Sequence, residues 1–330
     1  MSSRPDTPTP TADREIVVIR TFDAPRELVW RAWTDPTQIV RWWGPTGFTT
    51  TSHEMDVRPG GTWRFDMHGP DGRDYPNRIA FIEVQRPERI VYEHRGEADV
   101  EPVSFRSTVS FEQQGDKTRL TLRMVFPTTE ERDRVNREYG ADEGAIQTIG
   151  RLAEHLASAT GTRPDALTFA MTSSRNVILT RTFDAPRRVV FEALSKPEHV
   201  RRWWGPRSPS LVVCEMDFRP GGTWRFVLRD PDGTDHAFTG VYKEIVAPER
   251  FVQTFVYDVD GIRDHPATET FTLEERNSRT ILRNVVLHQS QEARDGHFHS
   301  GMESGASESM DRLDELVGTM AASSISGARQ

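Results

Sequence analysis

Ten histidines, one cysteine and a recurring set of carboxylates and arginines are the side chains in this sequence that could do chemistry. Glu54, Asp56, Arg58 and Arg64 come back as Glu215, Asp217, Arg219 and Arg225, each 161 positions on, as Arg202 is from Arg41. General acid–base catalysis needs a titratable group poised near the operating pH, most often histidine. A catalytic site present in both halves would therefore repeat one. It does not: by the same offset His53 corresponds to Cys214, His68 to Arg229, Tyr75 to His236 and His94 to Phe255. What repeats is carboxylates and arginines around a tight turn, the composition of structural ion pairs. The expectation is a non-catalytic protein, with an enzyme active in one half only as the alternative. No metal is expected. His297-Phe298-His299 and His288 have no cysteine or carboxylate at ligand spacing, and the first half has no equivalent pair. No cofactor is expected either, because no glycine-rich loop follows a strand and opens a helix. The serines and threonines form no nucleophile elbow. Cys214 alternates with Met216 and Phe218 on an apolar phase, which reads as a buried, inert thiol.

The second candidate set is aromatic. RWWGPTGFTTTSHEMDVRPGGTWRF, from Arg41 to Phe65, recurs as RWWGPRSPSLVVCEMDFRPGGTWRF from Arg202 to Phe226, so the chain is two copies of one unit. Beyond each Arg-Pro-Gly-Gly turn, Trp63, Phe65 and Met67, and likewise Trp224, Phe226 and Leu228, alternate with polar residues and share one face of a strand. Trp33 and Trp43 in the first copy, and Phe191 and Trp204 in the second, would form a helical wall. Phe81, Tyr92 and His94 against Tyr242, Gln253 and Phe255 are wall positions that changed while the turns stayed fixed. Large aromatics fill ordinary cores as readily as they line pockets.

These residues need positioning elements. Ile16 to Phe22 is a β-branched run apolar on both phases, a strand covered on two sides. Asp23 offers a helix N-cap with Pro25 in the first turn, and Val29, Ala32 and Trp33 recur at helical spacing. Asp35-Pro36 restarts a second short helix that Gly44-Pro45 stops. The period then drops to two. Arg58-Pro59-Gly60-Gly61 and Pro70-Asp71-Gly72 are turns, and strands follow at 77–85, 89–95, 103–113 and 118–126. A helix from Asp142 to Ser158 carries Ala145, Ile149, Leu152 and Leu156 as a stripe. The second copy repeats the plan: a strand over 176–183, helices over 186–194 and 197–204, turns at Arg219–Gly222 and Pro231-Asp232-Gly233, and a final helix over 305–317. Strand, two helices, six strands and one long helix predict an α+β unit: an antiparallel meander whose concave face the last helix covers.

The 330 residues, 35% hydrophobic and 28% charged, suffice for two cores. A net charge of −8 gives no electrostatic case for nucleic acid. A lone cysteine fits a reducing cytoplasm, no apolar run is long enough to span a membrane, and the first residues do not read as a secretory signal. The expected division is a disordered tail over 1–13, a domain over 14–159, a Ser/Thr/Gly/Pro-rich linker over 160–175, a domain over 176–320 and a disordered tail over 321–330.

RTFDAPRELVW, RWWGP, the EMD-x-RPGG-TWRF block, the Pro87-Glu88-Arg89 turn and the closing LAEHL or DRLDELV helix resemble the family named after the C-terminal domain of the activator of the heat-shock protein 90 ATPase. It lies within the START-like, SRPBCC or polyketide-cyclase-like superfamily. The resemblance implies two helix-grip domains, each a curved antiparallel sheet wrapped around a long C-terminal helix with a cavity between them. Such a cavity leads to the expectation of a small hydrophobic or aromatic ligand with the residues above as its lining, and the wall positions that changed between the copies predict a different ligand in each. A cyclase- or hydrolase-like enzyme and a co-chaperone that stimulates a chaperone ATPase are the alternatives, and contact between the domains is an open expectation. Superfamilies of this kind carry many activities on one scaffold.

Overall fold

The computed structural model describes residues 11–96, 103–164, 166–258 and 263–327. Among these the chain divides into two compact units, one running to Pro164 and taking in Ala170–Ser174, the other holding 166–169 and everything from Arg175 on.

Unit 1 comprises β1 (Glu15–Phe22), α1 (Arg26–Thr34), α2 (Pro36–Ile39), β2 (Thr49–Met55), β3 (Thr62–His68), β4 (Asp74–Gln85), β5 (Arg89–Gly96), β6 (Ser104–Gln114), β7 (Lys117–Val125), α3 (Thr129–Tyr139) and α4 (Ala141–Thr160). Its strands form an antiparallel sheet in the order β2-β3-β4-β5-β6-β7-β1. After the short β8 (Thr168–Met171), unit 2 repeats the plan: β9 (Asn176–Phe183), α5 (Arg187–Ser195), α6 (Pro197–Trp203), β10 (Ser210–Met216), β11 (Thr223–Arg229), β12 (Asp235–Val246), β13 (Arg250–Tyr257), β14 (Ala267–Arg276), β15 (Arg279–Leu287), α7 (Gln291–His297) and α8 (Glu303–Gly327). Its order is β10-β11-β12-β13-β14-β15-β9, again antiparallel. Bulges after Phe81 and after Tyr242 bend the long fourth strand of each sheet. The long helix lies against the sheet: α4 packs on β1 and α1, and α8 on β9, α5 and α6. Both units are helix-grip domains.

The repeated motifs are explained by what holds this scaffold. Gly60 and Gly221 sit at φ of 80° and 82°, where only glycine is free of strain. Their neighbours Gly61 and Gly222 are needed for space, since a Cβ there would lie 2.1 Å and 1.9 Å from the carbonyls of Asp56 and Asp217. The Trp-Trp-Gly-Pro segment serves the long helix. Arg151 of α4 donates to the carbonyls of Gly44 at 2.9 Å and Pro45 at 3.1 Å, and Arg312 of α8 donates to Gly205 at 2.8 Å and Pro206 at 2.9 Å. One guanidinium thus satisfies the open carbonyls where the short helices end. The first tryptophan of each pair donates its indole N–H to a helix carbonyl, Trp42 to Ala32 and Trp203 to Ala193.

Several expectations change. The cap of α1 is Pro25 with no side-chain bond, and Asp23 instead pairs with Lys117 at 2.6 Å, as Asp184 does with Arg279. The helices α3 and α7 carry no apolar stripe and were not expected. Their signal is the cap: Thr128 accepts from the Glu131 amide and Ser290 from the Ala293 amide. The segment read as a linker over 160–175 contains β8, with Phe169 and Ala170 buried. Of the tail over 1–13, residues 1–10 lie outside the described residues, while Asp13 accepts from the Thr129 hydroxyl at 3.1 Å. Residues 321–327 continue α8 rather than forming a tail, and 328–330 lie outside the described residues.

Candidate functional site

In each unit the inward-facing residues of the sheet meet side chains from the short helices, and there the two copies part. Unit 1 is dominated by indoles. Trp33 on α1 lies 5.5 Å from Trp43, Trp43 lies 5.0 Å from Trp63, and Trp63 stacks on Phe65 at 4.0 Å. Phe65 reaches His94 at 6.4 Å, and Met67 approaches Gly44. Phe81 and Tyr92 form a separate pair at 6.5 Å. The Trp63 indole donates to Ser52 at 3.0 Å.

One polar pair sits inside this aromatic set. His94 Nε2 and Asn77 Oδ1 are 2.8 Å apart, and the imidazole stacks on Phe105 at 4.7 Å. Dehydration of the ring drops its pKa to about 4, so the neutral imidazole donates to Asn77. Asn77 in turn donates to the Tyr75 carbonyl. Tyr92 is pushed up to about 12 by burial and stays a phenol.

Unit 2 inverts the arrangement. Phe238 and Phe255, in the places of Asn77 and His94, lie 5.6 Å apart. Trp204 contacts Phe226 at 4.8 Å and Phe238 at 5.2 Å, and Trp224 contacts Phe226 at 4.8 Å and Phe255 at 5.9 Å. Leu228 lies against Gly205. Phe191 and Tyr242 are not with them: they join Phe218 and Phe251 in a second cluster, Phe191 taking the place of Trp30 rather than Trp33.

Polarity appears where unit 1 has Tyr92, Ser107 and Leu122. There unit 2 has Gln253, Glu269 and Asn284 on three adjacent strands, exposed by only 9%, 9% and 7%. Gln253 Nε2 donates to Glu269 Oε2 at 2.7 Å, and Asn284 Nδ2 donates to Oε1 at 3.1 Å. Burial raises the pKa of Glu269 against the opposing pull of these two donors. Asn284 Oδ1 is buried without a partner, and so is Trp224 Nε1.

The orphaned indole follows from a shifted bulge. Phe65 pairs across the strands with Ser52, but Phe226 pairs with Cys214, so no hydroxyl stands where Ser52 meets the indole of unit 1. His53 is displaced outward and pairs with Asp66 at 2.8 Å, its side chain 53% exposed. In the sheet, then, Ser52 and not His53 is the counterpart of Cys214. The thiol is buried and its pKa raised by burial.

At the outer end of β12 and β13, His236 bonds Asp230 through Nε2 at 2.8 Å and the Tyr257 hydroxyl through Nδ1 at 2.6 Å. Burial holds the Tyr257 pKa up. Tyr257 stacks on Phe238 at 4.8 Å. His288, just before α7, and His297, its last residue, are 2.9 Å apart, and burial drops His297 to about 4. Among the described residues no group of three His, Cys, Asp or Glu is placed to hold a metal. The repeated charges lie at the surface: Arg58 pairs with Asp56 at 2.8 Å and Arg219 with Asp217 at 2.9 Å, while Glu54 and Glu215 stand opposite Arg64 and Arg225 in the strand register. No helix is long and apolar enough to cross a membrane among the described residues.

Sequence reasoning missed Asn77, Phe105, Phe238, Glu269 and Asn284, and had Gln253 only as a changed wall position. A signal existed for one of them. Glu269 alternates with Ala267, Phe271 and Leu273, a carboxylate on an inward phase.

Comparison with known proteins bears on both units. The family model for Activator of Hsp90 ATPase homolog 1-like protein matches residues 23–157 and again 184–318. No match is found among curated proteins. Among solved structures, a Mycobacterium smegmatis protein is 27% identical over 47% of this chain and 98% of its own, with a TM-score of 0.41. A solution structure from Arthrobacter aurescens is 26% identical over 44% of this chain and 90% of its own, also with a TM-score of 0.41. The di-domain ARO/CYC BexL from the BE-7585A biosynthetic pathway is 13% identical over 92% of this chain and 98% of its own, with a TM-score of 0.36.

Proposed function

Because the chain belongs to the Activator of Hsp90 ATPase homolog 1-like family, with one copy in each unit, we propose that each unit encloses a small apolar or aromatic molecule between its sheet and its long helix. The protein binds this molecule without converting it. Trp33, Trp43, Trp63, Phe65, Met67 and His94 line the site of unit 1, and Trp204, Trp224, Phe226, Leu228 and Phe255 that of unit 2. Phe81 and Tyr92, and Phe191 and Tyr242, stand behind these walls.

One observation carries this reading. The residues that hold the scaffold are the same in both units, while the polar groups inside have changed places. In unit 1 they sit at Asn77 and His94, and in unit 2 at Gln253, Glu269 and Asn284. A core selected only for packing has no use for a buried carboxyl or a dehydrated imidazole, each of which costs desolvation. A pocket uses a few such groups to orient what it holds.

Native mass spectrometry of chain purified under mild conditions is the direct test, joined to a thermal-shift screen of lipophilic and aromatic compounds. A copurifying small molecule, or shifts that grow with ligand excess, are the expected results. No bound molecule together with no shift from any compound overturns the reading.

A second reading, catalysis confined to unit 2, is favoured by the Asp230–His236–Tyr257 chain. Its three side chains are linked at 2.8 Å and 2.6 Å, with one face toward the aromatic wall at Phe238. Such a chain can move a proton between a phenol and an imidazole held by a carboxylate. In unit 1 the corresponding positions carry Gly69, Tyr75 and Gly96. Turnover of a bound compound that is lost in Tyr257→Phe would favour this reading over simple binding.

A further inference from the structure

Resting on the ligand-binding reading, we propose that the interior of unit 2 takes an aromatic molecule bearing a hydroxyl group, and that this hydroxyl is held by Glu269 and Asn284. The cluster is rich in acceptors. Each carboxyl oxygen of Glu269 accepts one N–H, from Gln253 at 2.7 Å and from Asn284 at 3.1 Å, and keeps capacity for another. Asn284 Oδ1 accepts nothing. All three side chains are at least nine-tenths buried, so water does not readily make up the missing bond.

A buried acceptor left without a donor costs free energy that a ligand donor recovers. A hydroxyl suits this site in either protonation state. It donates to the spare acceptors, and its own lone pairs accept the carboxyl proton in the neutral form of Glu269 that burial favours. An amine would arrive as a cation and leave two charges stripped of water, a poor exchange even when they pair. Aromatic surface stands on both sides of the acid along the same face. Phe251 and Phe271, stacked at 4.4 Å, lie one step inward, and Phe255 opposite Ala267 lies one step outward. The feature belongs to unit 2 alone, since Tyr92, Ser107 and Leu122 stand at the three positions in unit 1.

Calorimetric titration of the full chain with 2-naphthol, naphthalene and phenethylamine tests the assignment. The expected result is 2-naphthol bound about tenfold more tightly than naphthalene, the worth of one or two buried hydrogen bonds. Glu269→Gln and Asn284→Leu, the latter placing the leucine of unit 1, should each cut that preference to about threefold or less, with circular dichroism showing that the variants are folded. Equal binding of 2-naphthol and naphthalene by the unaltered chain overturns the proposal whether or not the variants fold, and leaves the broader ligand-binding reading standing. Tighter binding of phenethylamine than of 2-naphthol overturns it too. Failure of all three probes, with no other ligand found, removes the broader reading and this proposal with it.

Discussion

Units 1 and 2 share a backbone plan and differ in where they tolerate polarity. Unit 1 buries a neutral imidazole against an amide, and an all-apolar or hydroxyl set lies behind it. Unit 2 fills the first place with two phenylalanines and puts a carboxyl and two amides in the second. Nothing in the sheet requires either choice, because the strand order and turns are shared and the shifted bulge lies on β2 and β10, away from the strands that carry these groups. Polarity inside this fold therefore varies between copies while the architecture is kept.

The sharpest way to break that comparison is to attack what is supposed to be equal. Trp42→Ala and Trp203→Ala should each destabilise their own unit by about 3 to 5 kcal/mol, because each removes a buried indole and its bond to a helix carbonyl. Peptide-resolved hydrogen exchange reads the two units separately. A loss confined to one of the two variants would show that the tryptophan pair is not common scaffold.

Acidification should separate the interiors. His94 has its folded pKa depressed to about 4 from 6.5, so the unfolded chain binds the proton first. The contribution of the neutral imidazole is present above about pH 6.5 and is lost as pH falls toward 4, by at most about 3 kcal/mol. His94→Phe should flatten this dependence in the exchange of unit 1 and leave that of unit 2, which has His297 in the same window, unchanged. Glu269 has the opposite sign. Its folded pKa is raised, so its contribution is full below about 4.5 and is lost as pH rises through the folded value. Glu269→Gln should protect unit 2 on the alkaline side, and no matching change should appear in unit 1.

Smaller effects sharpen the shared frame. Arg151→Ala and Arg312→Ala should each cost about 2 kcal/mol, seen as faster exchange where the short helices end, since each removes charge-assisted bonds to carbonyls. The two losses should be alike. Arg58→Ala and Arg219→Ala should shift thermal unfolding least, by about 0.5 kcal/mol each, because both ion pairs are exposed.

Much of this was legible in the residues. Strand alternation, the Arg-Pro-Gly-Gly turn and the apolar stripe of α4 act locally, so Trp63, Phe65, Ile149 and Leu152 could be placed on inner faces from spacing alone. The helices α3 and α7 were missed because each has too few apolar residues to make a stripe, with a lone aliphatic side chain, Val135 in α3 and Ala293 in α7, and announces itself by a cap. Phe191 was matched with Trp33 although it stands at the position of Trp30, a difference of one helical turn that decides which rings it meets. His53 was matched with Cys214 by offset, and a one-residue bulge put Ser52 there instead.

The sequence by itself determined that there are two copies, that each is a sheet followed by a long helix, and that the repeated glycine turns and their flanking charges belong to the frame. Those features depend on backbone sterics and short-range periodicity, which residue types and spacing encode directly. Only the tertiary structure decided that Gln253, Glu269 and Asn284 form one buried cluster, that His94 bonds Asn77, and that Arg151 and Arg312 close the ends of the short helices. These groups lie 15 to 110 residues apart in the chain. Their chemistry arises from strand register and the exclusion of water, which exist only once the sheet has closed over its helix.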